Sequence, residues 1–186
     1  MPKVKTSKEE VLRKVIPILR KQGVYQSSMN DLAKACSIQK SHFYYYFNNK
    51  EQLIKEVLIM VNSYFEHNLF KVIKNPSFSL QEKLQRIHKL IDKMFKTYDG
   101  GCIMANTALE TIHLNPSYKE EIRLFFENFI DGIELLLTSK YPDKECRLLA
   151  EQIVQDIEGG ILLMRIYNDP QYLNNAVLRM EKIILK

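Results

Sequence analysis

Residues 27–53 hold the pattern that most constrains this chain of 186 residues, because two short helices and the turn between them can be placed there almost residue by residue. Ser28 is suited to cap the first helix, and Asp31 falls in its first turn, where a negative charge is favoured. Ser37 lies where the chain must turn, and Ile38 can fill the gap between two crossing helices. This order of capping, turn and apolar positions predicts a helix-turn-helix.

The second of these helices is predicted from Gln39 to about Tyr46. Phe43 and Phe47 lie four residues apart and therefore share the face that packs inward. The opposite face carries hydrogen-bonding groups and flat rings, which suit a nucleic-acid partner. The candidates for DNA contact on this face are Gln39, Lys40, Ser41, His42, Tyr44 and Tyr45.

Two further residues are candidates for contacts with DNA phosphates. Asn49 can cap the next helix, which places Lys50 at that helix's N-terminus, where backbone N–H groups already favour an anion. Ser28, at the start of the first helix of the motif, is placed in the same way. We expect base edges to be read by Gln39, Lys40 and His42, and phosphates to be contacted by Ser28, Tyr44, Tyr45 and Lys50.

The rest of the chain predicts an all-α fold of about nine helices. Glycine and proline are scarce, at 6 each, and apolar residues recur with helical spacing over long stretches. Ser79 and Glu82 predict a capping box at the start of one helix. We expect a helix-turn-helix domain over residues 1–50 and a helical effector-binding and dimerisation domain over residues 51–186.

Positive charge is concentrated in the same segment as the motif. Residues 1–50 contain ten Lys and Arg against three Asp and Glu, a net charge of +7, and residues 51–186 contain seventeen against nineteen, a net charge of −2. A basic module on a neutral or acidic remainder is typical of proteins that bind nucleic acid.

Other function classes find little support in the sequence. The three cysteines, Cys36, Cys102 and Cys146, are widely spaced and odd in number, so neither a disulfide framework nor a metal site is expected. No motif for phosphate binding, zinc binding or nucleophilic catalysis occurs, and we expect neither an enzyme nor a cofactor. No apolar run long enough for a membrane span and no signal peptide are present, which predicts a cytoplasmic protein.

The segment from Lys8 to Leu58 resembles the N-terminal domain of the TetR/AcrR family of bacterial transcriptional regulators. Two positions depart from the family pattern: the turn residue is Ser37 rather than glycine, and His42 replaces a small residue. The residues that carry the resemblance are Gly23, Ser28, Met29, Leu32, Ala33, Ile38, Lys40, Phe43, Tyr44, Tyr46, Phe47, Lys50, Glu51 and Leu53.

The resemblance implies a buried effector cavity in each subunit. Met and aromatic side chains suit an adaptable, lipophilic cavity, and Glu110, if it faced inward, would favour a cationic ligand. For each candidate the alternative is ordinary core packing. The expected lining residues are Tyr64, Phe95, Tyr98, Met104, Thr107, Glu110, His113, Phe126, Phe129 and Met164.

The resemblance also implies a homodimer built from the last two helices, which would form a four-helix interface with their copies. Gly159 and Gly160 inside the penultimate helix are unfavourable for a helix unless another backbone approaches closely. The alternative is that these helices only complete the core of the monomer. The expected interface residues are Ile153, Ile157, Gly160, Ile161, Met164, Leu173, Val177 and Met180.

These features together predict a dimeric transcriptional repressor that binds a palindromic operator in double-stranded DNA and is released by a small-molecule effector. A helical dimer that senses a ligand but does not bind DNA is the alternative.

Overall fold

The computed structural model describes residues 6–95 and 100–186, and within these ranges the chain forms helices and no strand. The all-α prediction is therefore confirmed. A π-helical turn (Glu66–Phe70) and a 3₁₀ turn (Ile112–Leu114) accompany the α-helices. The α-helices are α1 (Lys8–Gln22), α2 (Met29–Ala35), α3 (Lys40–Tyr46), α4 (Lys50–Phe65), α5 (Lys71–Lys74), α6 (Leu80–Phe95), α7 (Ile103–Thr111), α8 (Lys119–Leu137), α9 (Asp143–Tyr167) and α10 (Gln171–Leu185).

The chain divides into two compact units, and the first consists of Met1–Val61 and Ile103–Ile122. It therefore contains α1, α2, α3, most of α4, and also α7, which is distant in sequence. Its interior is apolar, and the burial of apolar side chains is the main force that holds its short helices together. Its fully buried side chains include Val11, Val15, Leu32, Phe43, Phe47, Leu53, Val57 and Leu58.

Local capping signals fix where the helices of the first unit begin. Ser7 and Glu10 form a reciprocal capping box at the start of α1. Ser28 caps α2 by accepting a hydrogen bond from the Asp31 amide at 3.1 Å, as the sequence predicts. The Asn49 side chain accepts from the Gln52 amide at 2.8 Å, which begins α4.

The second unit consists of Asn62–Cys102 and Arg123–Lys186. The predicted capping box at Ser79 and Glu82 is present, with the Ser79 amide donating to the Glu82 carboxylate at 2.8 Å. α9 and α10 pack closely against each other at Gly160, where an added Cβ would lie 3.1 Å from both Ala176 Cβ and Leu173 Cα. The prediction of a close approach is confirmed for Gly160, whereas nothing lies within 4 Å of a Cβ placed on Gly159.

Candidate nucleic-acid interface

The turn between α2 and α3 adopts a conformation that usually requires glycine. Ser37 has φ 57°, and its amide donates to the Lys34 carbonyl at 2.9 Å. The next amide, of Ile38, donates to the Ala33 carbonyl at 3.0 Å. The expected turn position is therefore confirmed, and it is formed by serine at a small steric cost.

α3 has a buried face and an exposed face, as its sequence predicts. Phe43 and Phe47 are both fully buried, with ring centroids 5.5 Å apart. Because these two rings anchor the helix, the residues between them are held in a fixed orientation. The exposed residues of the motif are Ser28, Gln39, Lys40, Ser41, His42, Tyr44 and Tyr45.

The exposed rings of α3 are ordered by contacts with their neighbours. The Lys40 ammonium lies 5.9 Å from the centroid of the Tyr44 ring, within the range of a cation–π contact. His42 stacks on Tyr46 with centroids 5.7 Å apart. Tyr45 is 79% exposed and lies beside the same stack. This surface combines hydrogen-bond donors with flat rings, the two features that DNA grooves and phosphates accommodate.

Tyr46 is half-buried and links the end of α3 to the chain just before α1. Its hydroxyl donates a hydrogen bond to the Thr6 carbonyl. Lys8, two residues later, pairs with Glu56 at 2.6 Å and lies over the Phe47 ring. The start of α1 is thereby fixed beside the end of α3.

Lys50 lies at the start of α4, as expected, but it is half-buried and already has a partner. Its ammonium donates to the Tyr25 carbonyl at 3.3 Å. Burial lowers the pKa of Lys50, and the nearby Glu110 carboxylate partly opposes that effect. A phosphate role for Lys50 stays a prediction.

The structure places the Glu110 carboxylate against the turn between α1 and α2, and a ligand-binding role for Glu110 stays a prediction. Its carboxylate accepts a hydrogen bond from the Tyr25 amide at 2.6 Å. Sequence reasoning missed this contact because it joins residues 85 positions apart. The one local signal for it is Gly23, whose missing side chain leaves room for the carboxylate.

The other residues predicted to line an effector cavity are divided between the two units, and Tyr98 lies outside the described residues. Met104 and Thr107 are buried in the first unit, and His113 there is exposed. A cavity role for these three residues stays a prediction. The candidates in the second unit are Tyr64, Phe95, Phe126, Phe129 and Met164.

Aromatic side chains form a cluster in the second unit that the sequence did not fully identify. The Phe125 ring is at its centre, 4.8 Å from Phe65, 5.2 Å from Phe126 and 6.2 Å from Phe129. Tyr64 extends the cluster by an edge contact with Phe65. Phe65 and Phe125 were not among the predicted ligand residues, because helical spacing alone marks them only as apolar.

The residues predicted to form the dimer interface are buried within the protomer, and their part in an interface stays a prediction. They lie in the contact between α9 and α10 and in the adjoining core. This is the position expected from the alternative in which the two helices complete the core of the monomer. The residues concerned are Ile153, Ile157, Gly160, Ile161, Met164, Leu173, Val177 and Met180.

Two other kinds of site are absent from the described residues. No group of three or more His, Cys, Asp or Glu side chains in residues 6–95 and 100–186 is arranged to hold a metal ion. Over the same ranges no helix has both the length and the apolar character needed to cross a bilayer.

An anchored helix with an exposed polar and aromatic face, on an all-α chain with a basic N-terminal segment, defines a helix-turn-helix DNA-binding regulator. Comparison with known proteins supports this class. The profile of the bacterial regulatory proteins of the tetR family matches residues 18–57, and the profile of the LmrA/YxaF-like transcriptional regulator C-terminal domain matches residues 79–178. The chain belongs to the TetR family of transcriptional regulators.

Relatives that match over most of their own length support the same family. An uncharacterized HTH-type transcriptional regulator of Lactococcus lactis is 24% identical over 89% of this chain and 87% of its own. The HTH-type transcriptional repressor DhaR of a Mycobacterium species is 23% identical, over 86% of this chain and 82% of its own. The crystal structure of a TetR transcriptional regulator from Legionella pneumophila has a TM-score of 0.86 at 27% identity, covering 98% of both chains.

Proposed function

We propose that this DNA-binding regulator is a dimeric repressor that occupies a palindromic operator and leaves it when a small molecule binds. The observation that carries the proposal is the exposed face of α3, opposite the buried Phe43 and Phe47. Each subunit places α3 in a major groove, and two subunits read two half-sites about one helical turn apart.

The residues of the exposed face divide into two roles. Gln39, Lys40 and His42 lie toward the start of α3, the end that reads base edges in helix-turn-helix proteins. Ser41 lies between them and contacts either a base or the backbone. Ser28, Tyr44, Tyr45 and Lys50 contact phosphates, which fix the position of the protein without reading sequence.

Dimerisation is supported by an exposed apolar stripe on the last two helices, outside the buried contact between them. On α9 the stripe contains Leu148, Leu162 and Ile166, which are 68%, 53% and 62% exposed and share one face by their spacing. We include in the stripe Leu178 and Leu185, which are 47% and 51% exposed on α10. Because exposed apolar surface marks interfaces, we assign the dimer contact to this stripe.

Two observations support repression and release by an effector. One relative is named a transcriptional repressor, and blocking a promoter requires nothing more than stable binding to it. The aromatic cluster around Phe125 supports a lipophilic effector held in the second unit, since rings and apolar side chains bind such molecules. Regulation of bacterial promoters would place the protein in the cytoplasm.

Selection of bound sequences from a random duplex pool, followed by titration of binding against salt, tests the proposal. We expect a palindromic consensus and an affinity that falls steeply with salt, because basic residues displace counterions from DNA. A consensus for one half-site only would contradict the dimer, and the absence of any consensus would contradict operator recognition.

A further inference from the structure

Helix α7 belongs to the same compact unit as the helix-turn-helix, and Glu110 in its last turn contacts the turn between α1 and α2. The Glu110 carboxylate accepts a hydrogen bond from the Tyr25 amide at 2.6 Å. A charged acceptor makes this bond stronger than one between neutral groups. A residue far along the chain therefore holds the connection that leads into the DNA-binding motif.

Gly23 is shaped to admit this carboxylate. Its φ is +84°, a region that side chains rarely adopt, and a Cβ there would lie 2.1 Å from Glu110 Oε1. No side chain could occupy that position while the carboxylate stays in place. The glycine thus serves two purposes: it ends α1 and it leaves room for Glu110.

Lys50 contacts the other side of the same turn. Its ammonium donates to the Tyr25 carbonyl at 3.3 Å, while the Tyr25 amide donates to Glu110. The charge of Glu110 also raises the pKa of Lys50 against the effect of burial, so the two charges act on each other. The backbone of Tyr25 is therefore held between a carboxylate from α7 and an ammonium from α4.

Two further hydrogen bonds fix the surroundings of this turn. Asn106, one helical turn before Glu110 on the same face of α7, donates to the Arg20 carbonyl near the end of α1 at 3.5 Å. The buried Ser27 hydroxyl donates to the Gly23 carbonyl at 2.7 Å. Ser27 directly precedes Ser28, which caps α2.

We propose that Glu110 is a positioning residue for DNA binding: from α7 it fixes the α1–α2 turn and the ammonium of Lys50 without contacting DNA itself. This proposal rests on the proposed function, because Ser28 and Lys50 matter here as phosphate contacts. Removal of the carboxylate leaves the Tyr25 amide without its acceptor. The Tyr25 carbonyl, which orients the Lys50 ammonium, is then no longer held in place.

The test measures operator affinity for Glu110→Ala, Glu110→Gln and the matched control Glu127→Ala, which removes a carboxylate from the exposed surface of α8. Removing a negative charge from a protein that binds a polyanion should by itself strengthen binding. Positioning predicts the opposite for Glu110→Ala: an affinity about tenfold lower, the scale of a charge-assisted hydrogen bond. Glu110→Gln keeps an acceptor for the Tyr25 amide and should stay within about threefold of wild type.

Two readouts separate positioning from a general loss of structure. The slope of log affinity against log salt should become shallower by about 0.9 in Glu110→Ala, because Lys50 no longer neutralises a phosphate. In a double-mutant cycle, Glu110→Ala should cost little once Lys50→Ala is present, because both changes remove the same interaction with DNA. A residue that only stabilises the fold would leave the slope unchanged and give additive effects.

Glu110→Asp keeps the charge but shortens the side chain, so it should behave like Glu110→Ala, and it provides a second variant if alanine impairs folding. Unchanged or stronger operator binding by a folded Glu110→Ala or Glu110→Asp protein would overturn the proposal. Failure of the wild-type protein to select any operator would instead overturn the proposed function, so the two failures are distinguishable.

Discussion

At the scale of single residues, Tyr44 tests how α3 meets DNA. It is 41% exposed, and its ring faces the Lys40 ammonium rather than the core. We expect Tyr44→Ala to lower operator affinity by about tenfold, since it removes both a phosphate ligand and the ring that supports Lys40. Tyr44→Phe is the matched control, because it keeps the ring and removes only the hydroxyl. Wild-type affinity in the alanine variant, measured by fluorescence anisotropy, would count against this docking.

Glu158 on α9 predicts a dependence of stability on pH. Burial raises the pKa of its carboxyl from 4.5 to about 7, and a hydrogen bond from the Cys102 thiol offsets this only in part. A carboxyl with a raised pKa contributes stability below pH 4.5, and this contribution is lost as the pH rises through about 7.

Glu158→Gln removes this titration and keeps an acceptor for the thiol. The free energy of unfolding of the variant, minus that of wild type, should therefore increase by about 2 to 3 kcal/mol between pH 4.5 and pH 8. Urea unfolding over this range measures the difference, with Glu127→Gln as an exposed control. A difference that does not change with pH would show that Glu158 does not titrate as described.

At the scale of elements, local signals made the helix-turn-helix predictable. Caps at Ser28 and Asn49, the apolar pair Phe43 and Phe47, and the turn at Ser37 depend on residues within a few positions of each other. The predicted second helix of the motif, from Gln39 to Tyr46, agrees with α3 because those signals do not require knowledge of the tertiary contacts.

Elements that meet across long separations could not be assigned in this way. Helical spacing identifies the apolar face of α9 but not what covers it, and α9 carries both a buried face toward α10 and an exposed stripe. The predicted dimer residues therefore belong to the core. The contact of Glu110 with Tyr25 could likewise not be predicted, because the position of Glu110 on α7 does not indicate that α7 packs against the α1–α2 turn.

The close contact between α9 and α10 is tested at Gly160. A Cβ there would lie 3.1 Å from Leu173 Cα and the Tyr172 carbonyl oxygen, both of which are backbone atoms that cannot easily move. We expect Gly160→Ala to lower the free energy of unfolding by about 1 to 3 kcal/mol, the usual range for overpacking. Gly159→Ala adds the same methyl group where nothing lies within 4 Å of it in the protomer, and it should gain up to about 1 kcal/mol from helix propensity. Equal losses of stability at both glycines would contradict the close-approach explanation.

At the scale of the whole molecule, charge and apolar surface are distributed differently along the chain. The excess of positive charge lies in residues 1–50, with the DNA-binding motif, and the net charge of residues 51–186 is −2. The exposed apolar stripe lies on α9 and α10, in the part of the chain without that excess. DNA binding should therefore be sensitive to salt, whereas an association through the stripe, driven by apolar burial, should depend on it much less.

Leu162→Glu tests whether this stripe is the dimer contact. A two-fold dimer would bury the new carboxylate twice without a partner, so we expect the dissociation constant of the dimer to rise by roughly 100-fold or more. Leu109→Glu is the matched control, because Leu109 is 78% exposed on α7 and lies outside the stripe. Sedimentation should detect monomers for Leu162→Glu and dimers for Leu109→Glu. The Leu162→Glu variant should also lose its preference for a full palindrome over a single half-site. A Leu162→Glu protein that remains dimeric would place the contact between subunits elsewhere.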